Sequence, residues 1–564
     1  MNQSDRFEWT ESQNEFLNLD KNGKFVVKAC PGSGKTTAIS ERVYRFVKNW
    51  NNKKSGIAVL SFTNVAADEI KEKCEKYYDL KIQYPHYIGT LDSFINNYIF
   101  LPYGHLVMGC DERPNLVGEP FNHGLSYEYP EKHFCKINFG IDGKLIYPKG
   151  WNHNWKLDKM KHDLTKEGFS TQKDAIYHSM RVLEKYPKIA QALSLRFPHI
   201  MIDEAQDTSD IHMRIIDLLI ENGLKNIILV GDPEQAIYEW NGAKPDLFNR
   251  KYDEWEKNSL VFKDNFRSSQ KICDFFSKIS NMDNINSKCS YDIELNPLIY
   301  PHKNNFDKII DMFKDECLKR GIPLNKNTVS VLFRGNEEVN IRQKSIRPND
   351  IPKLFDNSET KNFTVNIIEG IFQWYDKNFL EGFKIMEKEY IKFKYNLDNV
   401  TNADLYAEIE RVGFHRHRKN VYKFIVGFPP IDSCQTIDSW IQYVNENSDK
   451  FQLDEVKNDF VYNTPYPAKD ITFGYFKDID YENDIEYNVG TIHSVKGCSI
   501  DAVLLILKNK VFGDYFYQNI VPNEIDLSKD EELRIVYVAL SRAKKLLWLA
   551  VPRNDHDLWK SIFS

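Results

Sequence analysis

The tightest constraint on what this chain can fold into is nine residues long. Ala29-Cys30-Pro31-Gly32-Ser33-Gly34-Lys35-Thr36-Thr37 lies between the apolar run Phe25-Val26-Val27 and a helix-like run over 38–47. The spacing Ala29-x4-Gly34-Lys35-Thr36 fits a phosphate-binding loop in which Ala replaces the first Gly. In such a loop Gly32 and Gly34 let backbone N–H groups wrap phosphates, Lys35 reaches the β and γ phosphates, and Thr36 offers a hydroxyl to Mg²⁺. Ala29, Gly32, Ser33, Gly34, Lys35, Thr36 and Thr37 are therefore the candidate nucleotide-binding residues. The loop needs a buried strand before it and a helix after it, so the chain must contain an α/β sheet.

Apolar runs bounded by turn signals recur in two clusters, as buried parallel strands do. The first holds Phe25-Val26-Val27, 57–60, Ile200-Met201-Ile202 and 227–230; the second holds 329–333, 489–492, 502–506 and 546–550. Two α/β sheets are expected. A chain of 564 residues exceeds a single core, and segments of roughly 100 and 140 residues interrupt the two clusters. Structureless loops of that length are uncommon, so inserted subdomains are expected there.

Two predicted strands end in polar groups suited to phosphate chemistry. Ile202-Asp203-Glu204-Ala205-Gln206-Asp207 offers Asp203 as a water-mediated Mg²⁺ ligand and Glu204 as the carboxylate that orients an attacking water. Gly231-Asp232-Pro233-Glu234-Gln235 offers Gln235 as a γ-phosphate sensor on the same sheet edge. Taken singly, the first segment has a solvated acidic strand end as its lesser alternative, and a tight Gly-Asp-Pro turn explains the second equally well.

Together and in this order, these segments resemble the UvrD/Rep-like superfamily 1A helicases over nearly the whole chain. Gln13 matches the adenine-recognising glutamine ahead of the loop. SFTNVAADEI at 61–70 and IGTLDSF at 88–94 resemble DNA-contact motifs, which implies DNA-facing roles for Phe62, Thr63 and Thr90. VGDPEQAIYEWNGA at 230–243 resembles the motif whose aromatics stack on bases, here Tyr238 and Trp240. Asn241 stands where many relatives carry Arg. Asp264-Asn265-Phe266-Arg267-Ser268 resembles the motif that stacks an aromatic ring, Phe266, on adenine and points an arginine, Arg267, at the γ-phosphate. TIHSVKGCSIDAVLLI at 491–506 implies a role for His493 in coupling ATP to DNA, and Cys498-Ser499 replaces the usual Leu-Glu. The run 531–543 resembles the last helical motif, with Arg542 as the second γ-phosphate arginine; Glu531 and Arg534 there could equally form a solvated face. Arg334, after the run 329–333, reads as structural.

The resemblance implies two RecA-like parallel-sheet domains, each interrupted by an inserted, mainly helical subdomain. Domain 1A takes residues 1–91 and 197–262, subdomain 1B takes 92–196, domain 2A takes 263–339 and 486–564, and subdomain 2B takes 340–485. It also implies ATP with Mg²⁺ as cofactors, single-stranded DNA as partner and 3′ to 5′ movement. Lys35, Glu204, Gln235, Arg267 and Arg542 are the candidate catalytic set. The compact build resembles the helicase-like subunit of Gabija antiphage systems, which partners an OLD-family nuclease. An alternative is a DNA-stimulated ATPase that regulates a partner nuclease and barely unwinds; a small-molecule kinase is a third.

Composition narrows the classes further. A net charge of −6 argues against a protein that coats nucleic acid nonspecifically. Nine cysteines without a CxxC pair disfavour zinc, cluster or disulfide frameworks and fit a reduced cytoplasm. No apolar run reaches membrane-spanning length, and no secretory signal opens the chain.

Overall fold

The computed structural model describes residues 8–118, 131–239, 242–291, 295–336, 338–339, 486–508, 526–528 and 530–563, most of 379–428, and isolated positions at 366–375 and 446. Two all-parallel sheets dominate them. The first has six strands: β1 (Gly23–Ala29), β2 (Ile57–Ser61), β3 (Tyr87–Thr90), β4 (His199–Ile202), β5 (Asn226–Gly231) and β6 (Ser259–Phe262), in the order β6-β1-β5-β4-β2-β3. Helices α1 (Glu11–Asn18), α2 (Lys35–Lys48) and α3 (Asn64–Tyr78) cover one face, where Phe16, Ile39, Val43 and Ile70 meet Val27, Met201 and Val230. On the other face Ile176 and Leu183 of α4 (Gln172–Lys185) and Ile215 and Ile216 of α5 (Asp210–Glu221) meet Val26, Leu60, Ile202 and Leu229. Both faces being covered, β2 and β5 are buried at every residue, which is why they read as unbroken apolar runs.

The second sheet has five strands: β7 (Leu298–His302), β8 (Val329–Phe333), β9 (Asn488–Thr491), β10 (Ile500–Ile506) and β11 (Ala543–Pro552), in the order β7-β11-β10-β8-β9. Helix α6 (Gln270–Ser277) and helix α8 (Glu531–Leu540) pack on one face, with Ile272, Phe276 and Tyr537 against Val503, Leu505 and Leu547. Helix α7 (Phe306–Lys319) covers the other, with Ile309 and Phe313 against Val331 and Leu504. Cys30 and Ile237 from the first half belong to the same core as α6 and α8, so apolar packing as well as polar contact joins the halves.

The two-sheet α/β class is the observed one. Strands β3, β6 and β7 were not expected, and β9 stops at Thr491, one residue before the predicted run ends, because Ile492 begins a short 3₁₀ turn. Within 92–196 the described residues are mainly helical but have two separate affiliations. Helix α4 and the helix Pro187–Arg196 share the core of the first sheet, whereas Phe134, Ile137, Leu157, Met160 and Leu164 form a small core of their own. Between 340 and 485 the described elements include the helices Phe379–Tyr395, Asn402–Val412 and Phe414–Gly427.

Candidate functional site

The phosphate-type loop leaves β1 and enters α2 through two glycines in the left-handed region, Gly32 at φ +70° and Gly34 at φ +75°. Packing demands glycine here as strongly as backbone angle does. A Cβ on Gly32 would sit 2.7 Å from Cβ of Arg267, and one on Gly34 would lie 3.2 Å from Nε2 of Gln13. Phe266 donates its backbone N–H to the Gly32 carbonyl at 2.8 Å, and Asn265 Nδ2 donates to the Pro31 carbonyl at 2.6 Å. Gln13 is buried; its Nε2 donates to the Ser33 carbonyl at 3.0 Å, and its Oε1 accepts from Thr10 N at 3.1 Å within a helix-capping box. Gln13 and Phe266 thus flank Gly34.

Ala29 is buried as the last residue of β1. Thr36 lies half-buried in the first turn of α2, and Thr37 accepts a hydrogen bond from Lys73 of α3 at 3.1 Å. Ser33 Oγ is buried with no hydrogen-bond partner among the described residues. An open N-terminus of α2, two glycines without Cβ atoms and an unpaired buried hydroxyl fit a bound polyphosphate.

Charge gathers where β4 and β5 end. Lys35 Nζ lies 3.8 Å from Glu204 Oε1. Burial acts to lower the Lys35 pKa, but Glu204, Asp232 and Asp203 outweigh it and raise it. Burial likewise works to raise Glu204, yet Lys35, Lys496, Gln206 and Arg542 hold it well below the usual carboxylate range. Asp203 moves the other way, pushed up by burial and by the neighbouring Glu204 charge. Glu204 adopts φ +54°, a conformation seldom taken by a non-glycine residue and often found at functional sites. Gln206 Nε2 donates to Glu204 Oε2 at 2.6 Å, while its Oε1 accepts from Asp232 N at 3.0 Å, so one buried amide ties the two strand ends together.

Gln235 completes the bridge to the second half. Its Nε2 donates to Asp232 Oδ2 at 2.6 Å, and its Oε1 accepts from Arg542 Nη2 at 2.6 Å. Arg542 follows α8, is 1% exposed, and is fixed by Nε donation to the Val538 carbonyl at 2.9 Å. Burial and the neighbouring Arg267 lower its pKa to about 9, and Glu204 and Asp232 work against that shift. Arg267 comes from the connection ahead of α6, not from a strand of the second sheet; it donates Nε to Ser499 Oγ at 2.8 Å and Nη1 to the Ser541 carbonyl at 3.1 Å. Lys35, Asp203, Glu204, Gln235, Arg267 and Arg542 therefore converge on one cleft.

The residues expected to face DNA divide into two places. Phe62 and Thr63 follow β2, and Thr90 ends β3, which pairs with β2 through Ser61 and Thr90. Phe62 packs edge-on against His212, Thr63 caps α3 by accepting from Ala66 N, and Thr90 accepts from Ser93 N at 3.1 Å. Tyr238 and His493 sit instead between the halves. His493 Nε2 lies 3.3 Å from the Ile237 carbonyl, and the Tyr238 ring has Lys496 Nζ 4.4 Å from its centroid. Trp240 and Asn241 lie outside the described residues.

Several pairings at this interface escape sequence reading. Lys496 pairs with buried Asp207 at 2.7 Å across the halves. Arg534 is buried, not on a solvated face: its Nε donates to the Ala236 carbonyl at 2.8 Å, it pairs with Glu239, and Glu531 accepts from Glu239 N at 2.9 Å. Glu234 reaches the other way, accepting from Ser280 Oγ and from Asn281 N, both at 2.5 Å. Arg334 grips Glu532 through two hydrogen bonds, at 2.7 and 2.5 Å. The available signal was the polar content of the 204–207, 232–239 and 531–542 segments, but the partners lie 46 to 298 residues away in sequence.

Comparison with known proteins gives a consistent result. The family model of the UvrD/REP helicase N-terminal domain matches residues 9–108 and 151–256, and that of the UvrD-like helicase C-terminal domain matches 432–554. The chain is 22% identical to a probable DNA helicase II homolog of Mycoplasma capricolum, in a match covering 96% of this chain and 84% of the relative. It is 22% identical to the ATP-dependent DNA helicase PcrA of Staphylococcus epidermidis, over 93% of this chain and 81% of that protein. To the ATP-dependent DNA helicase Rep of Buchnera aphidicola it is 27% identical, over 61% of this chain and 55% of the relative. No helix among the described residues is long and apolar enough to cross a membrane.

Proposed function

The chain belongs to the UvrD/Rep helicase family, and from that membership we infer an ATP-driven motor that moves 3′ to 5′ on single-stranded DNA by closing the cleft between its two sheets. The observation that carries the reading is the 2.6 Å hydrogen bond from Arg542 to Gln235, which joins the second half to the phosphate-facing edge of the first. Lys35 would grip the β and γ phosphates, Glu204 would orient the attacking water, and Gln235 would report the γ-phosphate to Arg542. Thr36 and Asp203 would hold Mg²⁺, which when bound neutralises charge on the phosphates. Arg267 is held by a neutral serine hydroxyl and a carbonyl, acceptors weaker than a phosphate, and is free to turn to one.

Nucleotide chemistry is thereby tied to the position of the halves, because Arg542 and Arg267 are in place only when the cleft is shut. Phe62, Thr63 and Thr90 supply the grip on DNA from the first sheet, and Tyr238 and Trp240 stack on bases. His493, on the Ile237 carbonyl, transmits closure to that strand-binding segment. The division into 1A, 1B, 2A and 2B at 92, 197, 263, 340 and 486 is part of the same proposal.

The finer biological setting is a defence or repair complex in the cytoplasm, with an OLD-family nuclease as the partner class. A forked-duplex assay run with the protein alone, and again with the product of the neighbouring gene, tests both levels. ATP hydrolysis stimulated by single-stranded DNA, with strand separation in either arm, supports the motor. Stimulated hydrolysis without separation in both arms favours the alternative, an ATPase that regulates its partner. Absence of stimulation sinks the DNA reading itself.

A further inference from the structure

One buried arginine lies outside every role assigned above. Arg42 is 1% exposed in the second turn of α2. Its guanidinium lies 5.5 Å from the ring of Phe16 and 5.0 Å from that of Phe46. Its two terminal nitrogens separate to different acceptors: Nη1 donates to the Phe16 carbonyl at 2.7 Å and Nη2 to the Leu19 carbonyl at 3.1 Å. Phe16 lies in the last turn of α1 and Leu19 is its C-cap, so the guanidinium fork closes the end of the helix, where the Phe16 carbonyl also accepts from Leu19 N at 3.3 Å.

Helix α1 has eight residues, too few to hold a helical shape without tertiary support. It carries Gln13, whose amide is pinned on both sides, Oε1 by Thr10 N at the first cap and Nε2 by the Ser33 carbonyl of the loop. Pinning matters because the two purines differ on the edge a glutamine reads. Adenine offers an amino donor beside the N7 acceptor, whereas guanine offers two acceptors. A glutamine amide that can turn over satisfies either base, and one held in a single orientation selects. The opposite end of α2 begins at Lys35, so one helix bears both the phosphate-gripping lysine and the fork that steadies the base-reading helix.

We propose that Arg42 is a positioning residue for nucleobase selectivity, holding α1 so that Gln13 presents one fixed edge to adenine. The proposal rests on the reading of Gln13 as the adenine contact, and the test separates the two. The full-length protein is assayed for steady-state hydrolysis of ATP and GTP. Gln13→Ala probes the underlying reading: the ratio of kcat/KM for ATP over GTP should fall at least about tenfold, since a hydrogen-bonding site discriminates strongly. An unchanged ratio overturns the adenine contact, and the proposal with it.

Arg42→Lys replaces a planar fork with a single compact ammonium that cannot span both carbonyls. It should lower the same ratio by about tenfold, through a raised KM for ATP with kcat at saturation held within about threefold, as misplacement of a binding group predicts. In the Gln13→Ala background it should add nothing further. A variant that lowers kcat for both nucleotides alike, with selectivity intact, overturns the proposal and leaves Arg42 as packing. Phe46→Leu loosens the guanidinium without removing it, and should give a smaller fall in the ratio. If Arg42→Lys does not fold, Phe46→Leu decides: an unchanged ratio overturns the proposal.

Discussion

The two sheets are built alike and loaded differently. Both are parallel throughout, yet the strand ends of the first carry Asp203 and Asp232 beside Lys35, whereas the second offers its arginines from outside its strands. Arg267 precedes α6 and Arg542 follows α8. Buried charge at the end of a central strand is costly to move, because its compensating partners must move with it. The first sheet therefore suits a fixed cradle. Groups on connections can swing with a whole domain at little internal cost, which suits the second half to sensing and closing.

The largest expected effect tests the cradle. Lys35→Ala should reduce hydrolysis to background, at least ~10³-fold, with an unchanged circular dichroism spectrum and weaker nucleotide binding in a fluorescence titration. Arg542→Ala should cost about 10³-fold in kcat while leaving the ATP dissociation constant within about threefold, as expected of an arginine that acts on the transition state. If it weakens binding as much as Lys35→Ala does, the division into holding and closing halves fails. Lys496→Met strips buried Asp207 of its cross-cleft partner and should reduce the DNA-stimulated rate about tenfold, more than the basal rate, because it breaks a buried pair between the halves. Equal loss of both rates would place Lys496 in the chemistry.

A separate effect is on stability and concerns the first half alone. His178 in α4 is buried, and desolvation, then Asp174 opposing it and Lys161 and His162 reinforcing it, leave its pKa at about 4 against an ordinary 6.5. The folded pKa lies below the unfolded one, so protonation favours the unfolded chain. Stability is complete above pH 6.5 and is lost as pH falls towards 4, by on the order of 3 kcal/mol. Urea unfolding at stepped pH should show that loss in the first half, and His178→Phe should flatten it. A slope unchanged by the substitution would assign the acid sensitivity to other groups.

The strands that sequence pattern identified lie inside their sheets, with edge strand β9 the exception, and those it missed do not. Val26, Leu60, Met201, Leu229, Val331 and Leu504 lie in strands covered on both sides and read as apolar runs. The missed β3, β6 and β7 are all edge strands. Tyr87–Thr90 buries only Ile88, Ser259–Phe262 alternates, and Leu298–His302 carries Pro301, which an edge tolerates. Of the candidate site residues, Lys35, Glu204 and Gln235 stood out through the loop spacing and the polar strand ends, whereas Arg267 and Arg542 stood out only through resemblance to helicase motifs. The contacts of Gln206, Asn265 and Arg534 and the Asp207–Lys496 pair were not legible, since these residues lie in the same motifs but nothing local shows what each one meets.

The phosphate-type loop and the two sheets were determined by sequence alone, because backbone reach and burial on both faces leave a local imprint. Which groups meet was decided only in three dimensions. Arg542 finds Gln235, and Arg42 finds Phe16 and Leu19, through orientation of whole elements. A hydrogen bond made at the junction of two domains depends on how both are packed, and neither sequence segment carries that information by itself.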